Sequence, residues 1–360
     1  MLLDSELRTR LLRIFTATGT HGDGEGVERF LPPARTTLCG YGRQALAIAL
    51  HRVGIAAGDL VLLPGFICRD LLGAVRTVGA DVRFYDIDEQ FHIVGESLDR
   101  AACARVRAVV AVNYFGFPQP LNECLAWCHA RGAVLIEDNA HGFLSADQDV
   151  PLGRRGDLGI FSLRKTLALP NGGALVDNRP GGVHTREGAP RFDGSSLRTE
   201  MAWGAKRAAK RAMALGGSSA VRPLIGSIRG LRRLATGSAI DVTPPHAEIA
   251  IPQQALASRT PGLLRRVAVR EESTRRRSLY RACRTILEGS AEVRPLFSEL
   301  PEHVVPQGFP FIYLGNEPGL FAERWWRRGI PMVRWPDLPH AVEPDAPPHY
   351  HRVMLVPFLW

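Results

Sequence analysis

The chain has 360 residues, 45% of them apolar and 22% charged. That composition excludes a collagenous, disulfide-scaffold or wholly disordered chain and suits one large domain or two smaller ones. The formal net charge is +9, yet of the 45 basic residues only Lys165, Lys206 and Lys210 are lysine. The arginine excess reads as compositional bias, and each lysine becomes informative: an amine can lose its proton and attack a carbonyl, which a guanidinium cannot.

The first residues, MLLDSELRTRLLRIF, carry acidic and basic side chains among the apolar ones. They read as an amphipathic helix start within an N-terminal segment 1–34, neither signal peptide nor membrane span. With no long uncharged apolar stretch anywhere, a cytoplasmic protein is expected. From residue 35 strands and helices alternate. Leu60–Pro64, Asp81–Asp86, Ala108–Asn113 and Ala133–Asp138 are short β-rich runs. Between them Arg43–Val53, Arg69–Val78 and Leu121–Arg131 have helical apolar spacing. Two more strands, Leu158–Ser162 and Gly173–Val176, flank a tight connection holding Lys165. This pattern predicts an α/β fold with a mostly parallel sheet covered by helices on both faces. Residues 179–196 are rich in Gly and Pro, and 201–240 hold eight basic residues and no acidic one. That stretch reads as a solvated helical insertion; no nucleic-acid motif accompanies it. Residues 241–252 read as a loop, Leu263–Glu288 as one long helix, and Phe309–Trp360 as a small α+β unit. The division expected is 1–34, a large domain 35–240 and a small C-terminal domain 241–360. The six cysteines are scattered and read as reduced thiols.

Three motifs carry candidate chemistry. Gly40-Tyr41-Gly42-Arg43-Gln44-Ala45 follows a short extended run and opens a helix, where backbone N–H groups can hold an anion. It also fits G-x-G-x-x-A, although Asp59 lies in a turn rather than ending the second strand, as a nicotinamide-dependent oxidoreductase needs. Glu137-Asp138-Asn139-Ala140-His141 ends an apolar strand, where a carboxylate either serves a site or caps the next helix. Phe161-Ser162-Leu163-Arg164-Lys165-Thr166 leads to Pro170-Asn171-Gly172-Gly173. A phosphate-cradling helix start, a strand-end aspartate and a lysine 27 residues later are, in that order, the parts of a pyridoxal-phosphate enzyme of the aspartate-aminotransferase fold.

Residues 35–177 resemble the DegT/DnrJ/StrS family of pyridoxal-phosphate-dependent aminotransferases. The matching segments are Tyr41–Leu46, Gly58–Pro64, Gly79–Asp88, Asn113–Gly116, Ile136–His141 and Phe161–Gly173. Farther on, Arg276 and Tyr280 match the family's R-x-x-x-Y helix. The resemblance implies that Lys165 holds pyridoxal 5′-phosphate and shuttles the proton, and that Asp138 pairs with the pyridinium nitrogen. It implies His141 beside the ring hydroxyl, with Ser162, Gly42 and Arg43 at the phosphate. The ring-covering side chain is left between Phe66 and Cys68. Also implied are an amino-acid donor, a keto sugar acceptor, often nucleotide-linked, a role in polysaccharide or antibiotic-sugar biosynthesis, and a homodimer. No nucleic-acid partner and no metal are expected; His349 and His351 read as a surface pair, and Trp325 and Trp326 as packing.

Four departures stand out. Ser162 and Lys165 are two residues closer than in the common motif, and Asn171 replaces the usual acid before Gly-Gly. No G-x-N-x-R segment is found, and the family's histidine-containing segment and last helix have no counterpart after Val356-Pro357-Phe358-Leu359-Trp360. These departures keep a second reading open, a catalytically altered or inactive relative with a regulatory or scaffolding role.

Overall fold

The computed structural model describes residues 26–182, 187–212, 249–328 and 330–358. The expected N-terminal helix start, most of the basic stretch and residues 241–248 lie outside the described residues. In chain order the main elements are α1 (Val27–Phe30), β1 (Thr36–Cys39), α2 (Gly42–Arg52), β2 (Leu60–Pro64), α3 (Leu72–Thr77) and β3 (Asp81–Tyr85). Next come α4 (Gly95–Ala101), β4 (Val106–Val112), α5 (Asn122–Ala130), β5 (Val134–Asp138), β6 (Ala146–Asp147), β7 (Val150–Pro151), β8 (Leu158–Phe161) and β9 (Gly173–Asp177). The rest are α6 (Leu197–Ala212), α7 (Thr260–Leu264), α8 (Val269–Leu287), β10 (Val293–Pro295), β11 (Gly308–Tyr313), α9 (Pro318–Arg327), β12 (Val333–Arg334) and β13 (Val353–Pro357).

Seven strands form one sheet in the order β1-β9-β8-β5-β4-β2-β3. β3, β2, β4, β5 and β8 run parallel, while β9 pairs antiparallel with both β8 and β1. The apolar runs explain the layering, because successive side chains along a strand point to opposite faces. Val61 and Leu63 of β2 pack with Ala108, Val110 and Ile136 under Ala45, Leu46, Ala49 and Leu50 of α2. Leu60, Leu62, Val109, Ala111 and Leu135 face the other way, towards Cys124 and Cys128 of α5. That second cluster continues through Leu279, Cys283 and Leu287 of α8 to Phe309, Phe311 and Val356 of a four-stranded antiparallel sheet, β10-β11-β13-β12. All six cysteines are free, as the scattered spacing implied.

The expected elements are present with small shifts at their ends. The run Arg69–Val78 divides into a 3₁₀ turn, Arg69–Leu71, and the short α3. The long helix expected over Leu263–Glu288 is two helices: Ala268 leaves helical geometry (φ −80°, ψ 88°), and α8 begins after it with Glu271 and Glu272 in its first turn, where the helix dipole favours acids. The sequence gives no sign of α4; seven residues of helix with Ser97, Leu98 and Ala101 buried leave too little periodicity to read. No described helix is long and apolar enough to cross a membrane.

Candidate active site

The strand ends carry the site. β4, β5 and β8 finish side by side, with Val112 opposite Asp138 and Asp138 opposite Ile160. The residues just past these ends, Asn113 to Phe115, Asn139 to His141 and Ser162 to Lys165, therefore meet in space. Ligands in open α/β sheets bind at this edge.

Asp138 is 4% exposed and its Oδ1 accepts the N–H of Ala140 at 2.8 Å. It has no ion pair at short range among the described residues. Burial pushes its carboxyl above the usual range, offset in part by the Ala140 N–H and the Lys165 charge. Among the described residues no helix follows β5 before β6, so Asp138 caps none; it accepts a backbone N–H two residues on and keeps further acceptor capacity while buried. Lys165 ends a 3₁₀ turn, Leu163–Lys165, and its Nζ lies 3.1 Å from His141 Nε2.

His141 is buried, stacked on Phe115 with ring centroids 5.7 Å apart and met edge-on by Trp335 at 5.0 Å. Its Nδ1 accepts the Phe115 N–H at 3.4 Å, and its Nε2 faces the Lys165 nitrogen. Burial first, and the Lys165 charge second, hold the imidazole well below its ordinary value and keep it neutral at pH 7. The short Ser162–Lys165 spacing is therefore accommodated: a single tight turn brings the amine to the histidine.

The helix start forms a second part of the site. A Cβ on Gly42 would lie 3.2 Å from Phe161 O and 3.2 Å from Ser162 Cβ, so the N-terminus of α2 packs directly against the residue that follows β8. Gly173 is a stricter requirement, because a Cβ there would lie 2.3 Å from the carbonyl carbon of Tyr41. Gln44 closes the loop: its Oε1 accepts the N–H groups of Gly40 (2.8 Å) and Tyr41 (3.2 Å). Arg43 stands 3.3 Å from Asp70, but its buried Nη1 lacks a properly directed hydrogen bond. Ser162 is 6% exposed. Thr166 Oγ1, in the same turn, is buried without a partner. Asn171 supports this turn from below, with Nδ2 donating to Ala255 O and Oδ1 accepting Ala257 N–H. An amide, which both donates and accepts, suits that position better than the acid expected there.

Several participants carried no sequence signal. Trp335 lies 194 positions from His141 in the chain, and Phe115 adopts a left-handed backbone (φ 58°) that no motif announced. Of the two ring-covering candidates, Phe66 is fully buried among Phe91, Tyr114, Trp335 and Tyr350. Cys68 remains within the electrostatic reach of Lys165, its thiol pushed up to about 11 by burial. Asp59 accepts the Ala56 N–H in the turn before β2, which removes the support for a dinucleotide site. His349 lies 3.1 Å from Ile87 O, and no group of three or more metal-ligating side chains occurs among the described residues. Trp325 is packed inside, whereas Trp326 is 49% exposed.

This is the fold of the pyridoxal-phosphate-dependent aminotransferases. Over 98% of the chain, it superposes on 91% of the aminotransferase TlmJ from Streptoalloteichus hindustanus with a TM-score of 0.63 at 17% identity. Over 99%, it superposes on 91% of 3-amino-5-hydroxybenzoic acid synthase with a TM-score of 0.64 at 15% identity. Residues 29–202, just under half of the chain, match the model of the DegT/DnrJ/EryC1/StrS aminotransferase family. Among curated relatives, Protein MosB of Rhizobium meliloti is 37% identical over 146 residues, 39% of this chain and 28% of that protein. The L-glutamine:scyllo-inosose aminotransferase of Streptomyces griseus is 33% identical over 162 residues, 44% of this chain and 38% of that protein. The chain thus matches less than half the length of these relatives.

Proposed function

We propose that the protein is a pyridoxal-phosphate-dependent aminotransferase that passes an amino group from an amino acid to a keto sugar or related ketone. The observation that carries this reading is the convergence of Lys165, Asp138 and His141 at the carboxyl ends of β5 and β8. Two related proteins point to the acceptor class: one acts on scyllo-inosose, the other on a UDP-linked 3-dehydro-glucosamine.

The described residues fit the cofactor's three chemical demands. Its phosphate is dianionic, and the start of α2, Ser162 and the under-used Arg43 Nη1 and Thr166 Oγ1 would hold it. Its ring nitrogen is basic, and Asp138, a buried carboxylate with spare acceptor capacity, would hold the protonated form. Its aldehyde needs an amine, which Lys165 supplies. When bound, pyridoxal phosphate supplies a carbonyl that exchanges amino groups and a ring that takes up the electron pair left by a departing proton.

The chain's own residues have distinct tasks. Asp138 keeps the ring nitrogen charged, and a cation brought beside it reverses the upward push of burial. Lys165 carries the proton between substrate carbon and cofactor carbon as general base and then acid. His141, held by Phe115, sits against the lysine nitrogen in the cofactor-free pocket, and its Nε2 would meet the ring hydroxyl of the bound cofactor. Phe115 and Trp335 exclude water from that side. A role in polysaccharide or antibiotic-sugar biosynthesis, a homodimeric assembly and a cytoplasmic location accompany this proposal.

The test is an absorbance spectrum of the purified protein with added pyridoxal phosphate. A yellow band that bleaches with glutamine or glutamate supports the aminotransferase. A band that no amino donor bleaches refutes transamination, and no band refutes the cofactor.

A further inference from the structure

Arg276 lies in the middle of α8, is fully buried, and belongs to no part of the site described above. All five of its N–H groups are used. Nε donates to Glu272 Oε1 at 2.8 Å, and Nη1 donates to Pro306 O and Gln307 O, both at 3.1 Å. Nη2 donates to Lys165 O at 3.4 Å and to Thr166 O. One guanidinium thus grips the backbone of the lysine itself and, with its other prong, the segment entering β11.

That second prong leads back to the same lysine. Gln307 N–H donates to Phe115 O at 2.9 Å. Phe115 N–H donates to His141 Nδ1, its ring stacks on the imidazole, and His141 Nε2 meets Lys165 Nζ at 3.1 Å. The contacts form a closed circuit: Arg276 to the lysine carbonyl on one side, and Arg276 through Gln307, Phe115 and His141 to the lysine nitrogen on the other. Glu272, 4% exposed, neutralises the guanidinium and also accepts from Arg275, so the buried charge is compensated without drawing on Asp138.

We infer that Arg276 is a positioning residue that sets the register between the Lys165 turn and His141, and so the presentation of the reactive amine. This deepens the proposed function and rests on its assignment of Lys165. Lysine could not replace Arg276: three donors on one nitrogen cannot span carbonyls on two segments in a planar fork. Packing alone would not require the fork to end on the reactive residue.

The chain offers a direct assay, because it has only three lysines. Cofactor-free full-length protein is labelled at its amines with a trace of acetic anhydride, and each lysine peptide is quantified by mass spectrometry, with Lys206 and Lys210 as internal references. Arg276→Lys and Arg276→Gln are compared with Arg277→Gln, which loses bonds from the same helix to Pro301 O and Val304 O and none to the lysine turn. The expected result is a rise of about threefold or more in the relative labelling of Lys165 in both Arg276 variants, the scale of one lost hydrogen bond, and none in Arg277→Gln. The His141 ring signals in histidine-labelled protein should move in the same two variants. Should Arg276→Gln not fold, Arg276→Lys, which keeps stem and charge, decides. Unchanged labelling in Arg276→Lys, or an equal rise in Arg277→Gln, overturns the inference. No cofactor enters this assay, so failure to take up pyridoxal phosphate would be a separate result, refuting the proposed function rather than the circuit.

Discussion

Replacing Arg155 by methionine tests how the strand ends that carry Asp138 are held. Glu137 is fully buried beside Asp138, and its carboxylate accepts from Arg155 Nη2 (2.7 Å), Nε (3.0 Å) and N (2.9 Å) and from Asn113 Nδ2 (2.8 Å). Arg155 also donates to Gln119 O and Asn113 Oδ1, which ties the end of β4 to that of β5. Methionine fills much of the volume but leaves the Glu137 charge buried without its cation, an arrangement that costs about 3–5 kcal/mol. The backbone N–H groups and Asn113 remain, so the low end, about 3 kcal/mol, is expected. In the double variant Glu137→Gln/Arg155→Met the stranded charge is gone and roughly 2 kcal/mol should return. Urea unfolding at pH 7, with midpoints and slopes compared among the parent, Arg155→Met, Glu137→Gln and the double variant, measures this. A loss below about 1 kcal/mol for Arg155→Met, or a double variant no better than it, would refute the reasoning.

Three other outcomes follow from the same geometry. Gly173→Ala places a Cβ 2.3 Å from Tyr41 backbone, so the α2 start must shift; pyridoxal phosphate titration should show at least about tenfold weaker binding. Asp138→Asn should lower kcat about 10²-fold, by loss of an electrostatic partner in a dry site. In cofactor-free protein it should do the opposite to stability. The Asp138 pKa is raised by burial, so its contribution is whole below pH ~4 and is lost as pH rises through the raised value, a loss that thermal melts of the asparagine variant should lack. His141 has the other sign: its folded pKa is depressed by burial and by Lys165, so stability is whole above pH ~6.5 and falls as pH drops towards the folded value. His141→Gln should flatten that acid-side fall in melting temperature, and an equal fall in both proteins would contradict the neutral-histidine assignment.

The large sheet was legible because its strands are fully buried runs such as LVLLP, bounded by Gly-Asp before and Pro-Gly after. The lysine turn and the Asp138 strand end were legible because each is a local motif. The expected helix over Leu263–Glu288 fails near its start: apolar spacing runs on through Val267 and Ala268, and only the acidic pair Glu271 and Glu272 marks the new start. Trp335, the partners of Arg276 in the lysine turn and the Phe115 backbone stayed hidden for a different reason. These contacts span more than 100 positions or, for Phe115, depend on a positive φ, and neither leaves a period or a spacing in one sequence. The Gly-rich helix start shows the reverse limit: its spacing fits a phosphate cradle and an ordinary turn alike, and no spacing tells that Gly42 packs so close to Ser162 that an added Cβ would lie 3.2 Å from it.

The central claim is that Lys165 is the amine that engages pyridoxal phosphate. The measurement is to incubate the protein with pyridoxal phosphate, reduce with borohydride, digest, and locate the phosphopyridoxyl group by mass spectrometry. With three lysines in the chain the readout is unambiguous. The account predicts near-stoichiometric label on Lys165, none on Lys206 or Lys210, and none at all in Lys165→Ala. Label on Lys206 or Lys210 in preference to Lys165, or a parent protein as unlabelled as the variant, would contradict it.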